Sequence, residues 1–404
     1  MWFDSTLTSV DFFTNSAGYH GGGAYIGYAG NHRTAMDGGR FISNTASGGG
    51  GLYSDSSFAL TGTQVLSNTS RSGNGGGAWT PLSATVSGAY FAYNTVITNG
   101  NSGGLDAGNN LIASNTTFLN NHSQTGSGGG SGAGGNATLA NVQYIGNSSK
   151  NNGGGVLAFG TTQVADSQFL SNTAGNLGGG AIYCGGPSLT ISGTRFLSNT
   201  AEGLGGAVFV SSTLTISTSQ FLANLAGSGG GGIFQMAGDG RIVNSLFADN
   251  LSLSNAGTAL NLSPTGTEQI LFTTIGASSL INGDAVRVNS GNVTFEDNIV
   301  ANHSIGLNRL GGSVFEDYNL FYSNTLNKFG AMSGGTHDVF GNPLFVNPAL
   351  NNYHLRPGST AIDAGADAGV YTDIDGQTRP QNAGFDIGFD ELQIYHIDLP
   401  IVLR

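Results

Sequence analysis

The chain has 404 residues, 69 of them glycine, a formal net charge of −12 and only 9% charged residues, against about a quarter in ordinary soluble proteins. Two lysines and an acidic balance exclude a nucleic-acid binder, which needs clustered Lys and Arg for phosphates; glycine without a strict three-residue period excludes collagen, and no apolar run reaches the ~18 residues of a membrane-spanning helix. The lone cysteine, Cys184, excludes an internal disulfide and a multi-cysteine metal site.

From the first residues onward the chain repeats itself. An aromatic or apolar residue falls at Phe12, Phe41, Val65, Phe91, Phe118, Tyr144, Phe169, Phe196, Phe221, Phe247, Phe272 and Phe295, at steps of 23 to 29 residues. Three residues later stand Asn15, Asn44, Asn68, Asn94, Asn121, Asn147, Asn172, Asn199, Asn224 and Asn250, then Ile275 and Asn298. Five residues before each aromatic runs an apolar column, from Leu7 and Met36 to Ile216 and Ile242. Glycine clusters follow each aromatic, as in Gly179-Gly180-Ala181-Ile182 and Gly205-Gly206-Ala207-Val208.

A period of about 26 residues is short for two helices, and Gly, Ser, Thr, Asn and Val disfavour helix. Stretches such as Leu189-Thr190-Ile191 alternate with the period of a strand. Three short strands and three turns fit one repeat, and successive repeats stack at the strand spacing of about 4.8 Å. The predicted fold is a right-handed, single-stranded parallel β-helix of about 12 coils. The aromatic and aliphatic columns point inward, the asparagines form a ladder at one turn, and the glycines serve corners where φ is positive or backbones approach closely. Residues 1–314 are assigned to the repeats, 315–392 to the final coils and a C-terminal capping module, and 393–404 to a tail. Ser5 to Phe12 already reads as mid-coil. A natural beginning upstream is therefore expected, and the missing leader is no argument against export.

Phe169-Leu170-Ser171-Asn172 with Gly179-Gly180-Ala181-Ile182 resembles the polymorphic outer-membrane protein repeats of chlamydia-like surface proteins. That resemblance covers about residues 1–300 and implies a β-helical passenger of the pectin-lyase-like superfamily, displayed at the cell surface and associated with adhesion. A second resemblance covers residues 315–391. It is carried by Asp317-Tyr318-Asn319-Leu320-Phe321-Tyr322, Gly341-Asn342-Pro343-Leu344-Phe345-Val346, Ser359-Thr360-Ala361-Ile362-Asp363-Ala364-Gly365 and Gly384-Phe385-Asp386-Ile387-Gly388-Phe389-Asp390-Glu391. This order is similar to bacterial choice-of-anchor Q domain proteins, in which a β-helix precedes a variable anchor. The end of this chain, Ile397 to Arg404, has no LPxTG-type motif.

Many β-helices cut polysaccharides, so catalysis has to be weighed. The Asn-Thr-Asp, Asp-Asp, Gly-His-Gly and Arg-Ile-Lys motifs of the polygalacturonase-like members do not occur. Residues 1–290 hold 11 acids and 7 bases spread thinly over the coils, whereas acid–base catalysis needs two titratable groups converging on one site. Gly100-Asn101-Ser102-Gly103-Gly104 matches a nucleophile elbow only formally, without its strand–turn–helix context. Cys184 alternates with Ile182 and is expected to face inward.

Two sets of residues stand out as candidate sites. Asp373-x-Asp375-Gly376, with Asp386, has the hard-oxygen, tight-turn character of calcium loops, against the alternative of turn-capping aspartates. Tyr183, Phe209 and Phe234 fall at outward positions of successive coils and would form an exposed aromatic ladder. The expected function is a secreted or surface-displayed bacterial binding rod, adhesin-like and without catalysis, that engages a glycan or a host or neighbour-cell surface protein. The alternatives are a polysaccharide lyase or glycoside hydrolase, and a structural surface component. No cofactor is expected, with calcium the one candidate ion, and exposed strand edges favour end-to-end self-association.

Overall fold

A computed structural model describes residues 5–27 and 34–393; the assigned tail lies outside the described residues from 394 onward. One turn shows the design. Ile182–Cys184, Ser188–Ser192, Arg195–Leu197 and Thr200–Ala201 are four strands separated by corners. Each pairs in parallel with its counterpart in the next repeat, such as Ile191 with Ile216 and Phe196 with Phe221. The strands collect into four parallel sheets. Sheet 1 has 14 strands and contains Ser188–Ser192; sheet 2 has 14 and contains Arg195–Leu197; sheet 3 has 13 and contains Ile182–Cys184; a narrow sheet of nine two-residue strands contains Thr200–Ala201. The chain is a parallel β-solenoid with repeats of about 26 residues and almost no helix.

The core is columnar. Phe91, Phe118, Tyr144, Phe169, Phe196, Phe221 and Phe247 stack face to face with ring centroids 4.6 to 5.0 Å apart. All are fully or almost fully buried. Burying each such side chain is worth roughly 1.5–3 kcal/mol. Cys184 is buried in the same core. At the corner after sheet 2 the asparagines bond along the stack. Asn172 donates from Nδ2 to Asn199 Oδ1 (2.9 Å) and to the Tyr144 carbonyl (2.8 Å), and accepts from Asn147. The same pattern links Asn15, Asn44, Asn68, Asn94, Asn121, Asn147, Asn199, Asn224 and Asn250. Glycine is required at the corner before sheet 3, where Gly205 has φ +66° and a Cβ on Gly206 would lie 2.2 Å from the Gly231 carbonyl oxygen.

The sequence pattern misplaces four residues near the end, Phe272, Ile275, Phe295 and Asn298. Phe247 pairs with Ile275, not with the repeat's Phe272, and Ile275 pairs with Val300, not with Phe295. Phe295 stands opposite Ile270 in sheet 1, and Phe272 sits at a corner with φ +46°. The cause is a change of repeat shape. Ile242 pairs with Ile270, 28 residues on, and Phe272 takes the corner that Asn244 holds one repeat earlier at φ +45°. Asn298 consequently belongs to a different ladder, between sheets 1 and 2. Hydroxyls accept backbone N–H groups there (Val142 to Ser167, Ser167 to Thr194, Thr194 to Ser219), and the series ends on Thr273 to Asn298 to Asn319 to Asp338.

The last repeats exchange apolar core for charge. Glu316 takes the inward place below Phe295, and Lys328 bonds both Glu316 (2.8 Å) and Asp338 (2.7 Å). Residues 341–392 are irregular apart from a 3-10 turn at Pro348–Leu350. They double back along the outer face of sheet 2. Phe345, Tyr353, Leu355, Ala361, Ile387 and Phe389 cover Leu222, Leu246, Ala248, Ile299, Ala301 and Leu320. A buried arginine fastens the module. Arg379 bonds Glu391, Asp386 O and Gly388 O, and its guanidinium lies 4.5 Å over the Phe272 ring.

Candidate functional site

Sheet 2 presents a row of long polar side chains on its outer face. Gln143, Gln168, Arg195 and Gln220 stand in register in successive repeats, the first three exposed. The next residue in the row, Leu246, is covered by the C-terminal module. At that step a groove of about 570 Å³ opens between the sheet and the module. Gly193, Thr194, Arg195, Thr218 and Gln220 line one wall, and Thr372–Gly376 the other. Its size falls in the range of ordinary small-ligand clefts.

The module's wall is a tight turn built by Asp373. Its Oδ1 accepts from the backbone N–H groups of Asp375 (2.9 Å) and Gln377 (2.8 Å), its Oδ2 accepts from Glu391 N (3.2 Å), and Gly376 supplies the positive φ. Asp386 is equally occupied, accepting from Asp363 N and Leu392 N at 2.8 Å each, and its burial pushes the carboxyl up to about 7. Asp373 and Asp386 therefore spend their oxygens on backbone donors, as turn-capping aspartates do, and do not form a ligand set with Asp375. Asp375 is exposed and meets His354 instead, Oδ2 to Nε2 at 2.9 Å. His354, Asp375 and Asp390 have ligand atoms within 4.8 Å of one another and are the residues that could share a cation. Burial raises the Asp390 carboxyl, whose Oδ2 accepts from Leu355 N.

Tyr183, Phe209 and Phe234 stack outward on sheet 3, with centroids 4.7 and 5.7 Å apart. They are not an open patch, because Phe209 is only 6% exposed. Phe209 has a ring on both faces, and Tyr183 and Phe234 are half-buried. The same outward column runs Tyr25, Tyr53, Trp79, Asp106, Gly132, Leu157, Tyr183, Phe209, Phe234 and Asn261.

Sequence reasoning passed over the polar row on sheet 2. Its signal was present, since Gln143, Gln168, Arg195 and Gln220 each precede the core aromatic by one residue. The facing wall left none, because it arrives from 150 and more residues downstream. His354 contacts the one exposed aspartate of the module's turn. Among the described residues no helix is long and apolar enough to cross a membrane. Fold and groove together define a parallel β-solenoid with a lateral polar cleft. Comparison with family models, with curated proteins and with solved structures finds no match to this chain.

Proposed function

We propose that this chain is a secreted or surface-displayed bacterial binding rod of the choice-of-anchor Q kind, non-catalytic, which holds a glycan along the outer face of sheet 2. The observation that carries the reading is the exposed Gln143–Gln168–Arg195 row leading into the groove at Gln220. Amide and guanidinium groups repeated at the strand spacing of about 4.8 Å suit the hydroxyls and carboxylates of an extended saccharide. Many weak contacts then sum along the chain. The Phe-x-x-Asn and Gly-Gly-Ala-Ile repeats support the surface assignment by resemblance. The test is retention on immobilised neutral and acidic polysaccharides. Retention that falls at least about tenfold in an Arg195→Ala, Gln220→Ala double variant is expected. Unchanged retention would refute the site.

One observation favours a second reading, polysaccharide cleavage. Arg195 and Asp375 line the same groove, and Asp375 holds His354 at 2.9 Å, an acid–base arrangement in outline. New reducing ends or unsaturated products from any polysaccharide, lost in His354→Ala, would replace the binder with an enzyme.

A further inference from the structure

Apart from the groove, the outward column of sheet 3 contains a break. Between Trp79 and Leu157 stand Asp106 and Gly132. A glycine here removes the side chain that would continue the column, and an acid lies beside the gap. The result is a notch of about 160 Å³ lined by Asn74, Asn101, Asp106, Gly132, Leu157 and Phe159 among others, room for roughly five water volumes.

Asp106 points outward yet is only 7% exposed. Its Oδ1 accepts from the Ser102 hydroxyl (2.6 Å) and its Oδ2 from Asn74 Nδ2 (2.8 Å). A Cβ on Gly132 would come within 2.3 Å of Ser102 Oγ and 2.6 Å of Asp106 Oδ1, so these two oxygens reach into the place a side chain here would take. No Lys, Arg or His lines the notch. Burial without a cation pushes the carboxyl up to about 6. The amides of the rim are largely committed. Asn74 Oδ1 accepts from Asn101 N and Asn101 Oδ1 from Ser127 N, each at 2.9 Å. Little is left to satisfy the many hydroxyls of a sugar ring, whose burial without partners is costly. Leu157 and the half-exposed Phe159 supply apolar walls. Two apolar walls beside a buried carboxylate match a short methylene chain that ends in a positive charge.

We propose that the Asp106–Gly132 notch binds the terminal ammonium of an unbranched alkylamine, carried either by a free diamine or by a lysine side chain. The Asp106 carboxylate accepts the charge-assisted hydrogen bond, and Leu157 and Phe159 hold the methylenes.

The test is calorimetric titration of the full chain with 1,5-diaminopentane, with Nα-acetyl-lysine amide and with 1-pentanol as the neutral control. At least one amine is expected to bind with one-to-one stoichiometry and pentanol not to bind. Which amine binds more tightly identifies the source. Asp106→Asn keeps the shape and should weaken binding at least about tenfold. Gly132→Ala sets a methyl against Ser102 Oγ and Asp106 Oδ1, displaces the pair and should do the same; unchanged melting curves confirm that both variants fold. Pentanol binding as tightly as the diamine, undiminished affinity in both variants, or no binding of either amine by the folded chain would overturn the proposal.

Discussion

Glu268 is the sharpest test of the core. It occupies an inward position of sheet 1, between Gly240 and Val293 in adjacent repeats, where other repeats carry Leu189 or Leu214. Gly240 makes room for it, since any Cβ there would collide with the carboxylate. Neither carboxylate oxygen has a hydrogen-bond partner of good geometry, and the Oε1 of neighbouring Gln235 is also unpartnered. Burial, opposed by Gln235, pushes the carboxyl from its ordinary value of 4.5 up to about 8. The folded chain therefore holds this proton more tightly than the unfolded chain. Its favourable contribution is complete below pH 4.5 and is lost as the pH rises to about 8. That interval corresponds to about 5 kcal/mol at its upper end, as an order of magnitude. Glu268→Gln keeps the shape and removes the titration. The variant should match the wild type in thermal midpoint near pH 5 and exceed it by several degrees at pH 8, followed by circular dichroism or calorimetry. Asp297, Asp386 and Glu316 are each pushed up to about 7 by burial and weaken both proteins in the same direction, so the gap between them isolates Glu268. Parallel curves from pH 5 to 8 would refute the reasoning.

Three other outcomes are expected. Asn172→Ala removes the link between Asn147 and Asn199 and strands buried donors on Asn147; it should cost about 2–4 kcal/mol in denaturant titrations, and Asn172→Asp, which sets a carboxylate oxygen against the Asn199 Oδ1 and Tyr144 carbonyl acceptors, should cost at least as much. Arg379→Met leaves Glu391 in the module without its cation and removes the contact over Phe272; a loss of about 3–5 kcal/mol should show as proteolysis within 341–392 while the solenoid's strand signal persists. Burial holds His303 neutral, with its value lowered to about 4, so this residue contributes stability above pH 6.5 that is lost as the pH falls towards 4; His303→Leu should flatten the acid limb of the melting profile.

Much of this protein is written in one dimension. Parallel, in-register stacking places equivalent residues of successive repeats on top of one another, so self-similarity along the chain is itself a contact map. Phe169 over Phe196 and Asn172 bonded to Asn199 could be read from spacing, because both contacts repeat at the period. The outward phase of Tyr183, Phe209 and Phe234 was legible for the same reason. Their exposure was not, since it depends on how closely stacked neighbours and flanking corners close over each ring. Nor was the register after Phe247, where the repeat changes shape and Phe272 and Phe295 leave the column they share in the sequence pattern.

The candidate groove lies beyond reach of periodicity altogether. Its far wall is held by contacts such as Asn244 to Thr372 and Phe389 N to Thr274, 128 and 115 residues apart, that occur once and have no repeat to announce them. The aspartates of 373–386 look alike in the sequence, and only their surroundings divide them into two that cap backbone turns and one that meets a histidine. The sequence by itself therefore determined the solenoid, its period, its inward columns and its asparagine ladder, because each is a local rule repeated. The tertiary structure alone decided where the C-terminal module lies, which face of the rod it leaves open and what each acid is for, because those depend on single long-range contacts and on the water they exclude.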